Sequence, residues 1–306
     1  MNTPLAALTP IITYFMIGLL LRWFGVAGRE QAAFLLRLVF YVTLPALVFS
    51  SVAGTAISRQ TVLLPVAGIL VNLVCAAAAF FYVRAAHLDN RRAGVVVLGA
   101  GVMNMMFSYP FILAILGEAA FADAVLFDLG NSIFFSIGTY SIAMYFGNAA
   151  ADSTLTNVLR TIRTPIFIAV VAALVVSAGQ MQVPALANSL LSPLAAATTP
   201  LVLVAIGMTF STKGVSGRLA MITILLRMLL GLVVGIVIAW LFRFEGLTAA
   251  VVAVSAAAPI GFNTVALASI GNLDTEQAAS SLSVSVAVGV VSTTLLLFFA
   301  AHWVAA

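Results

Sequence analysis

Charged residues are scarce. They make up 7% of the 306 residues, while 63% are hydrophobic. A soluble domain carries roughly 25% charged residues, so this chain lacks the means to make a water-facing surface. Cysteine is almost missing: Cys75 stands alone, which excludes a disulfide or a cysteine-ligated metal cluster within one chain. The two histidines, His87 and His302, lie far apart in the sequence, which argues against a histidine zinc site. There is no His-Glu-x-x-His, and no paired intramembrane aspartates are expected, since Asp123 is read as a solvated charge at a span end. No metal, no cofactor and no enzymatic activity are therefore expected. Gly214-Val-Ser216-Gly217 matches a short serine pattern of intramembrane proteases. It lies in a basic loop, however, and the only later histidine, His302, falls on the other side of the membrane in the topology derived below. A nucleophile needs its base within hydrogen-bond reach.

What remains is apolar sequence in long runs. Each membrane crossing needs roughly 20 apolar residues. Turn and breaker chemistry separates ten candidate spans, at 5–24, 33–53, 61–84, 93–117, 121–147, 164–181, 184–210, 218–243, 246–271 and 275–302. These are called spans 1 to 10. Span 1 has no basic residue before it and Arg22 after it; a secretory signal has the opposite polarity. Span 1 is thus expected to be retained, with its N-terminus outside.

The net charge of +4 says less than the placement of the cations. With the N-terminus outside, the inner loops hold Arg22, Arg29, Arg37, Arg84, Arg91, Arg92, Arg160, Arg163, Lys213 and Arg218. The outer loops hold only Arg59 and Arg243, and Arg227 falls inside span 8. Basic residues collect on the cytoplasmic side, so the asymmetry predicts an inner-membrane protein with both termini outside. No nucleic-acid partner is expected.

The longest polar stretch, 147–164, divides the chain into 1–150 and 151–306, five spans each. An odd number of spans per half gives the halves opposite orientations, the arrangement of inverted-repeat transporters. The breakers match in order: Thr43-Leu44-Pro45 in span 2 with Thr198-Thr199-Pro200 in span 7, and Pro110 in span 4 with Pro259 in span 9. The fold class predicted is an all-α integral membrane protein: two inverted five-helix repeats, with broken helices at spans 4 and 9.

Spans 4 and 9 each combine proline, small residues and an asparagine: Asn104, Ser108 and Pro110 in one, Pro259, Asn263 and Thr264 in the other. Proline removes a backbone donor and disturbs the carbonyl one turn before it. Such breaks are tolerated where protein or a water-filled cavity covers them. A half-helix starting near the midplane presents free N–H groups and the positive end of its dipole. Two such ends would hold a carboxylate, with Asn104 and Asn263 binding it or capping the broken backbone. These six residues form the candidate substrate site. Asp128 and Asn131, one turn apart in span 5, and Arg227 in span 8 are candidates for coupling or for the pathway, since ionisable groups inside a membrane are functional candidates by default. Arg227 either attracts an anion in the inner pathway or pairs with carbonyls. Met103, Met105 and Met106 either line an adaptable pocket or pack against lipid and core.

The sequence resembles the auxin efflux carrier family. The resemblance rests on Leu38-Val-Phe-Tyr-Val-Thr-Leu-Pro45-Ala-Leu-Val-Phe49, on Asn104…Pro110 followed by Gly117, on Leu203-Val-Ala-Ile-Gly207-Met, and on Ala257-Ala-Pro259…Asn263. Where the family often has glycine between the asparagine and proline of span 4, this chain has Met105, Met106, Phe107, Ser108 and Tyr109. The resemblance implies ten helices in two inverted repeats, with spans 4 and 9 crossing at unwound centres. Spans 1, 2, 6 and 7 would form a scaffold, often a homodimer interface, and the others a moving transport domain. It implies small organic anions as substrates: auxin-like, or dicarboxylates such as malate or malonate. Protons or sodium remain open as coupling ions. A sodium-coupled symporter of the bile-acid type is the nearest alternative, and a channel or membrane sensor a distant one.

Overall fold

A computed structural model describes residues 4–147, 154–209 and 217–305. The boundary expected near residue 150 and the serine motif at 214–216 lie outside them. The described residues are helical, with no strand longer than a single bridge. In chain order they form α1 (Pro4–Trp23), α2 (Arg29–Leu38), α3 (Leu44–Ala53), α4 (Arg59–Ala85), α5 (Asn90–Gly101), α6 (Met105–Phe134), α7 (Tyr140–Phe146), α8 (Thr154–Ile162), α9 (Pro165–Ala178), α10 (Ala185–Thr209), α11 (Arg218–Ile224), α12 (Leu230–Phe242), α13 (Gly246–Ala256), α14 (Asn263–Ile270) and α15 (Thr275–Ala305). Six continuous helical runs among the described residues are long and apolar enough to cross a membrane, and a bent pair, α8 with α9, would make a seventh. The protein is therefore a multi-pass, all-helical membrane protein.

Several helices are joined through widened, π-helical turns, which the sequence reading did not foresee. Val39–Thr43 links α2 to α3, and there the N–H of Leu44 reaches back five residues to the Val39 carbonyl. Pro45 follows. It has no N–H for the Tyr41 carbonyl and its ring crowds that group, so the turn opens. Phe135–Thr139 links α6 to α7. Here Ser136 donates to Ser132 O at 2.7 Å and Thr139 to Phe135 O at 2.5 Å, and side-chain bonds of this kind compete with the helical ladder. Leu225–Leu229 links α11 to α12 and carries Arg227; no proline accounts for it.

The polar linker expected across 147–164 contains a helix. In α8 the apolar Leu155, Val158, Leu159 and Ile162 recur at helical spacing between polar residues. α8 meets α9 at 63°. Thr164 caps α9 by accepting the Phe167 N–H at 3.3 Å, and Pro165 opens the helix, an arrangement suited to a helix start.

Two sets of helices pack most closely. α1 lies against α10, which also holds α2 and α3, and α3 packs on α9. α4 lies against α5, α6 and α12, and α13 and α15 pack on α6. Small residues permit the closest crossings. A Cβ on Gly18 would fall 2.1 Å from Val204 O, and one on Gly207 would fall 2.2 Å from Phe15 O. Gly130 and Gly68 do the same between α6 and α4, at 1.9 Å from Pro65 O and 2.2 Å from Phe127 O. Close backbone approach through glycine is how membrane helices gain contact where no hydrophobic force separates them from lipid.

Candidate functional site

The site is built where two helices stop and restart. α5 ends at Gly101, Val102 turns extended, and α6 begins at Met105. α13 ends at Ala256 and α14 begins at Asn263. The two unwound segments face each other. Met103 and Ile260 form an antiparallel bridge. Asn104 N–H donates to Pro259 O at 2.9 Å, and Gly261 N–H donates to Val102 O at 3.0 Å. Ile260 N–H donates to the Ser285 hydroxyl at 3.3 Å. These three N–H groups of the freed backbone are satisfied by protein, as a break inside a membrane requires. Gly261 is needed for the approach, because a Cβ there would sit 2.6 Å from the Val102 side chain.

The break in span 4 is thus not at Pro110, where the sequence reading put it. Pro110 lies inside α6, in its second turn. The residue that starts the half-helix is Asn104, whose side-chain oxygen accepts the Phe107 N–H at 3.1 Å. Asn104 is 3% exposed, and its amide nitrogen has no protein partner. Pro259 does lie in its break, where its carbonyl serves the crossing.

A cavity of about 520 Å³ opens on this crossing. Asn104 and Asn263 both line it, together with Met103, Met105, Met106, Gly261 and Phe262. The backbone N–H groups of Met105 and Met106, at the start of α6, have no carbonyl one turn back in their own helix. α2, its π turn and the α8–α9 bend also contribute to the lining: Arg37, Phe40, Tyr41, Thr161, Thr164 and Phe167. Tyr109, Asp128 and Asn131 line it too. Asn131 gives its amide to Asp128 Oδ1 at 2.7 Å and to the Met103 carbonyl at 3.4 Å, and Tyr109 gives its hydroxyl to Asp128 Oδ2 at 2.7 Å.

Of the nine residues expected at the site, Asn104, Asn263, Asp128 and Asn131 share this cavity. Ser108, Pro110, Pro259, Thr264 and Arg227 do not line it. Ser108 is fully buried, with its hydroxyl 3.5 Å from Asn104 O, and Thr264 is fully buried one residue beyond Asn263. Arg227 has no exposed surface. It donates to Ala100 O at 3.0 Å, to Ala256 O at 2.6 Å and to Asn72 Oδ1 at 3.2 Å. Ala256 is the last residue of α13 and Ala100 the next to last of α5. Arg227 thus caps the negative ends of both half-helices that run into the crossing. Gly231 leaves it room, since a Cβ there would lie 2.2 Å from Ala256 O and 2.8 Å from an Arg227 nitrogen.

The electrostatics divide into two sides. Positive half-helix starts, at Met105 and Asn263, face the cavity; negative half-helix ends face a buried guanidinium. The sequence reading missed Asn72, which links Arg227 to Asn131, and Tyr109. Asn72 offered a signal: it is the only amide side chain in the apolar run 61–84.

The chain's similarities point the same way. Residues 4–297 match the family described as membrane transport protein. An uncharacterized transporter of Methanothermobacter thermautotrophicus is 24% identical over 290 residues, covering 93% of this chain and 94% of the relative. An uncharacterized transporter of Methanocaldococcus jannaschii is 22% identical over 311 residues, covering 98% of this chain and 97% of the relative. With the match running through both breaks and every helix that lines the cavity, the chain belongs to the membrane transport protein family, that of the auxin efflux carriers its motifs resemble.

Proposed function

We propose that the protein is a secondary transporter of small organic anions, mono- or dicarboxylates, which it binds at the crossing of the two broken helices and carries by alternating access. The observation that carries this reading is the convergence on one cavity of two half-helix starts with Asn104 and Asn263. Asn104 brings a buried amide nitrogen with no protein partner, a donor that a carboxylate oxygen would satisfy. Helix starts favour negative charge.

On this reading the chain forms ten spans in two inverted repeats, 1–150 and 151–306. The kink at Gly117, where φ is 85°, separates spans 4 and 5 within α6, and each break joins two short helices into one crossing. The packing of α1, α2, α3, α9 and α10 on one another supports a scaffold, and the packing among α4, α6, α12, α13 and α15 supports a transport domain. The scaffold is also the surface on which a homodimer would form. The basic loops support a cytoplasmic position for the α8–α9 bend, which would open the cavity inward.

In the sodium-coupled alternative a metal cation would help to neutralise the crossing. Here the Arg227 guanidinium already meets the negative ends of α5 and α13, which favours coupling to protons or to membrane potential.

Binding tests the reading directly. Malonate, malate and an indole carboxylate are added to purified protein, and thermal unfolding is followed. At least one acid is expected to raise the midpoint. Asn104→Ala and Asn263→Ala should weaken its affinity about tenfold or more, the worth of a hydrogen bond to a charged group. No shift with any acid, or a shift that both variants retain in full, would overturn the site.

A further inference from the structure

Arginine can only donate hydrogen bonds, and this fixes the direction of every bond in a chain that crosses the core. Arg227 donates to the oxygen of Asn72 at 3.2 Å, so Asn72 must turn its amide nitrogen outward. That nitrogen donates to the oxygen of Asn131 at 2.8 Å, so Asn131 in turn presents its nitrogen to Asp128 Oδ1 at 2.7 Å. Asp128 Oδ1 is therefore held as an acceptor. A proton there would set two donors against each other. The other oxygen, Oδ2, meets the Tyr109 hydroxyl at 2.7 Å. A hydroxyl can donate or accept.

We propose that Asp128 and Tyr109 form a proton–anion coupling site, polarised by Arg227 through Asn72 and Asn131, with Asn72 as a positioning residue. This rests on the anion-carrier reading. With Asp128 ionised, the Tyr109 hydroxyl is committed to Oδ2. When a proton from the cavity binds Oδ2, the new O–H donates to the tyrosine oxygen. The tyrosine hydrogen is then released from Asp128 and becomes a donor for an anion in the cavity, which both residues line. One proton is taken up, no covalent bond other than O–H changes, and the anion gains a hydrogen bond only when the proton is present. Asn131 also holds the Met103 carbonyl, inside the unwound segment, so the same amide touches both the proton site and the crossing.

Other groups that titrate or carry charge face this site from several elements. Arg37 and Tyr41 line the same cavity. Arg227 acts through Asn72, and Cys75 lies one turn along α4 from it. The α8–α9 bend contributes Thr161 and Thr164, and the α13–α14 break contributes Gly261 to Asn263, none of which titrates.

The test needs no substrate. Infrared difference spectra of the purified full chain in lipid nanodiscs, recorded across pH, follow the C=O stretch of a protonated carboxylic acid. A band that grows on acidification and is lost in Asp128→Asn is expected. Tyr109→Phe, which keeps the ring, should shift its frequency, because the acid loses its acceptor. Asn72→Leu should increase the protonated fraction about tenfold at a pH where the band is small, since the carboxylate loses a polarised donor. Asn72→Gln should restore part of that change. A band indifferent to both Tyr109→Phe and Asn72→Leu, or no Asp128 band at any pH where the protein stays folded, would overturn the proposal. Should Asn72→Leu fail to fold, the near-isosteric Tyr109→Phe decides alone. The predicted band in a protein that binds no carboxylate leaves the proton site standing and removes the anion reading. Carboxylate binding that depends on Asn104, with no such band, does the reverse.

Discussion

Arg227 shows how a single charge is kept inside a membrane. Insertion of a central arginine costs roughly 2.5–3.5 kcal/mol, and three acceptors receive it here. Replacing it by methionine keeps an apolar stem of similar length and leaves two helix-end carbonyls and Asn72 without their donor. Each lost bond to a charged donor is worth about 1.5–3 kcal/mol. Arg227→Met is therefore expected to lower the thermal unfolding midpoint markedly in detergent, with Arg227→Lys in between, since an ammonium cannot span three acceptors as the planar guanidinium does. A midpoint unchanged in Arg227→Met would remove the capping role. At this scale the sequence was legible in part. Asn104, Asn263, Asp128 and Asn131 stood out as polar groups in apolar runs, and they share the cavity. The choice for Arg227 between pathway and carbonyl pairing depended on which backbone ends lay beside it, and α5 and α13 are far from it in the chain.

Elements tell a similar story. The helical character of the described residues followed from apolar length, because a membrane span must satisfy its own backbone, whereas α8, inside the polar stretch 147–164, was not foreseen. Local departures were harder to read. Pro110 looked like a break and is accommodated inside α6, whereas the break falls at Val102–Asn104, where an asparagine can cap the restarting helix. Of the three π turns, one has Pro45 as its signal and one the hydroxyls of Ser136 and Thr139, while the turn at Leu225–Leu229 left none. A mutation tests the link to Pro45. Pro45→Ala restores the missing N–H, so the turn at Val39–Thr43 should relax toward α-helix and rotate Phe40 and Tyr41, which line the cavity. Thiol labelling of Tyr41→Cys in a Cys75→Ser background, with and without Pro45→Ala, should show the accessibility of position 41 change; equal rates would show that proline does not set the turn. The contact of α1 with α10 makes a second test. Gly207→Leu would drive a side chain into the Phe15 carbonyl, and overpacking of this kind costs about 1–3 kcal/mol. Reduced thermal stability is expected there, while Gly54→Leu, which meets nothing nearby, should be tolerated.

The whole molecule is a problem of orientation and of moving parts. Its single native cysteine, Cys75, is buried, so single-cysteine variants report topology cleanly. Placed at Ser58, a cysteine should react with a membrane-impermeant thiol reagent applied to the outside of intact cells. Placed at Asn90, it should react only after the cells are opened. The reverse pattern would invert the assignment of inside and outside, and with it the direction in which the cavity opens. The inverted repeat was suggested by breaker order, but the two asparagines are not placed alike: Asn104 caps its half-helix, while Asn263, though it lines the same cavity, makes no such cap. Only the packed chain reveals that difference, since each asparagine's task depends on what the opposite break presents to it.

The central claim, that the crossing carries carboxylates, is tested most directly by counterflow in proteoliposomes. Vesicles are loaded with unlabelled malonate, malate or an indole carboxylate, and entry of the labelled acid is followed for the wild type and for Asn104→Ala and Asn263→Ala. Exchange does not depend on which ion drives net transport. The account predicts accumulation of at least one acid by the wild type, reduced about tenfold or more in both folded variants. Folded wild-type protein that exchanges none of them, or variants that exchange as fast as the wild type, would contradict it.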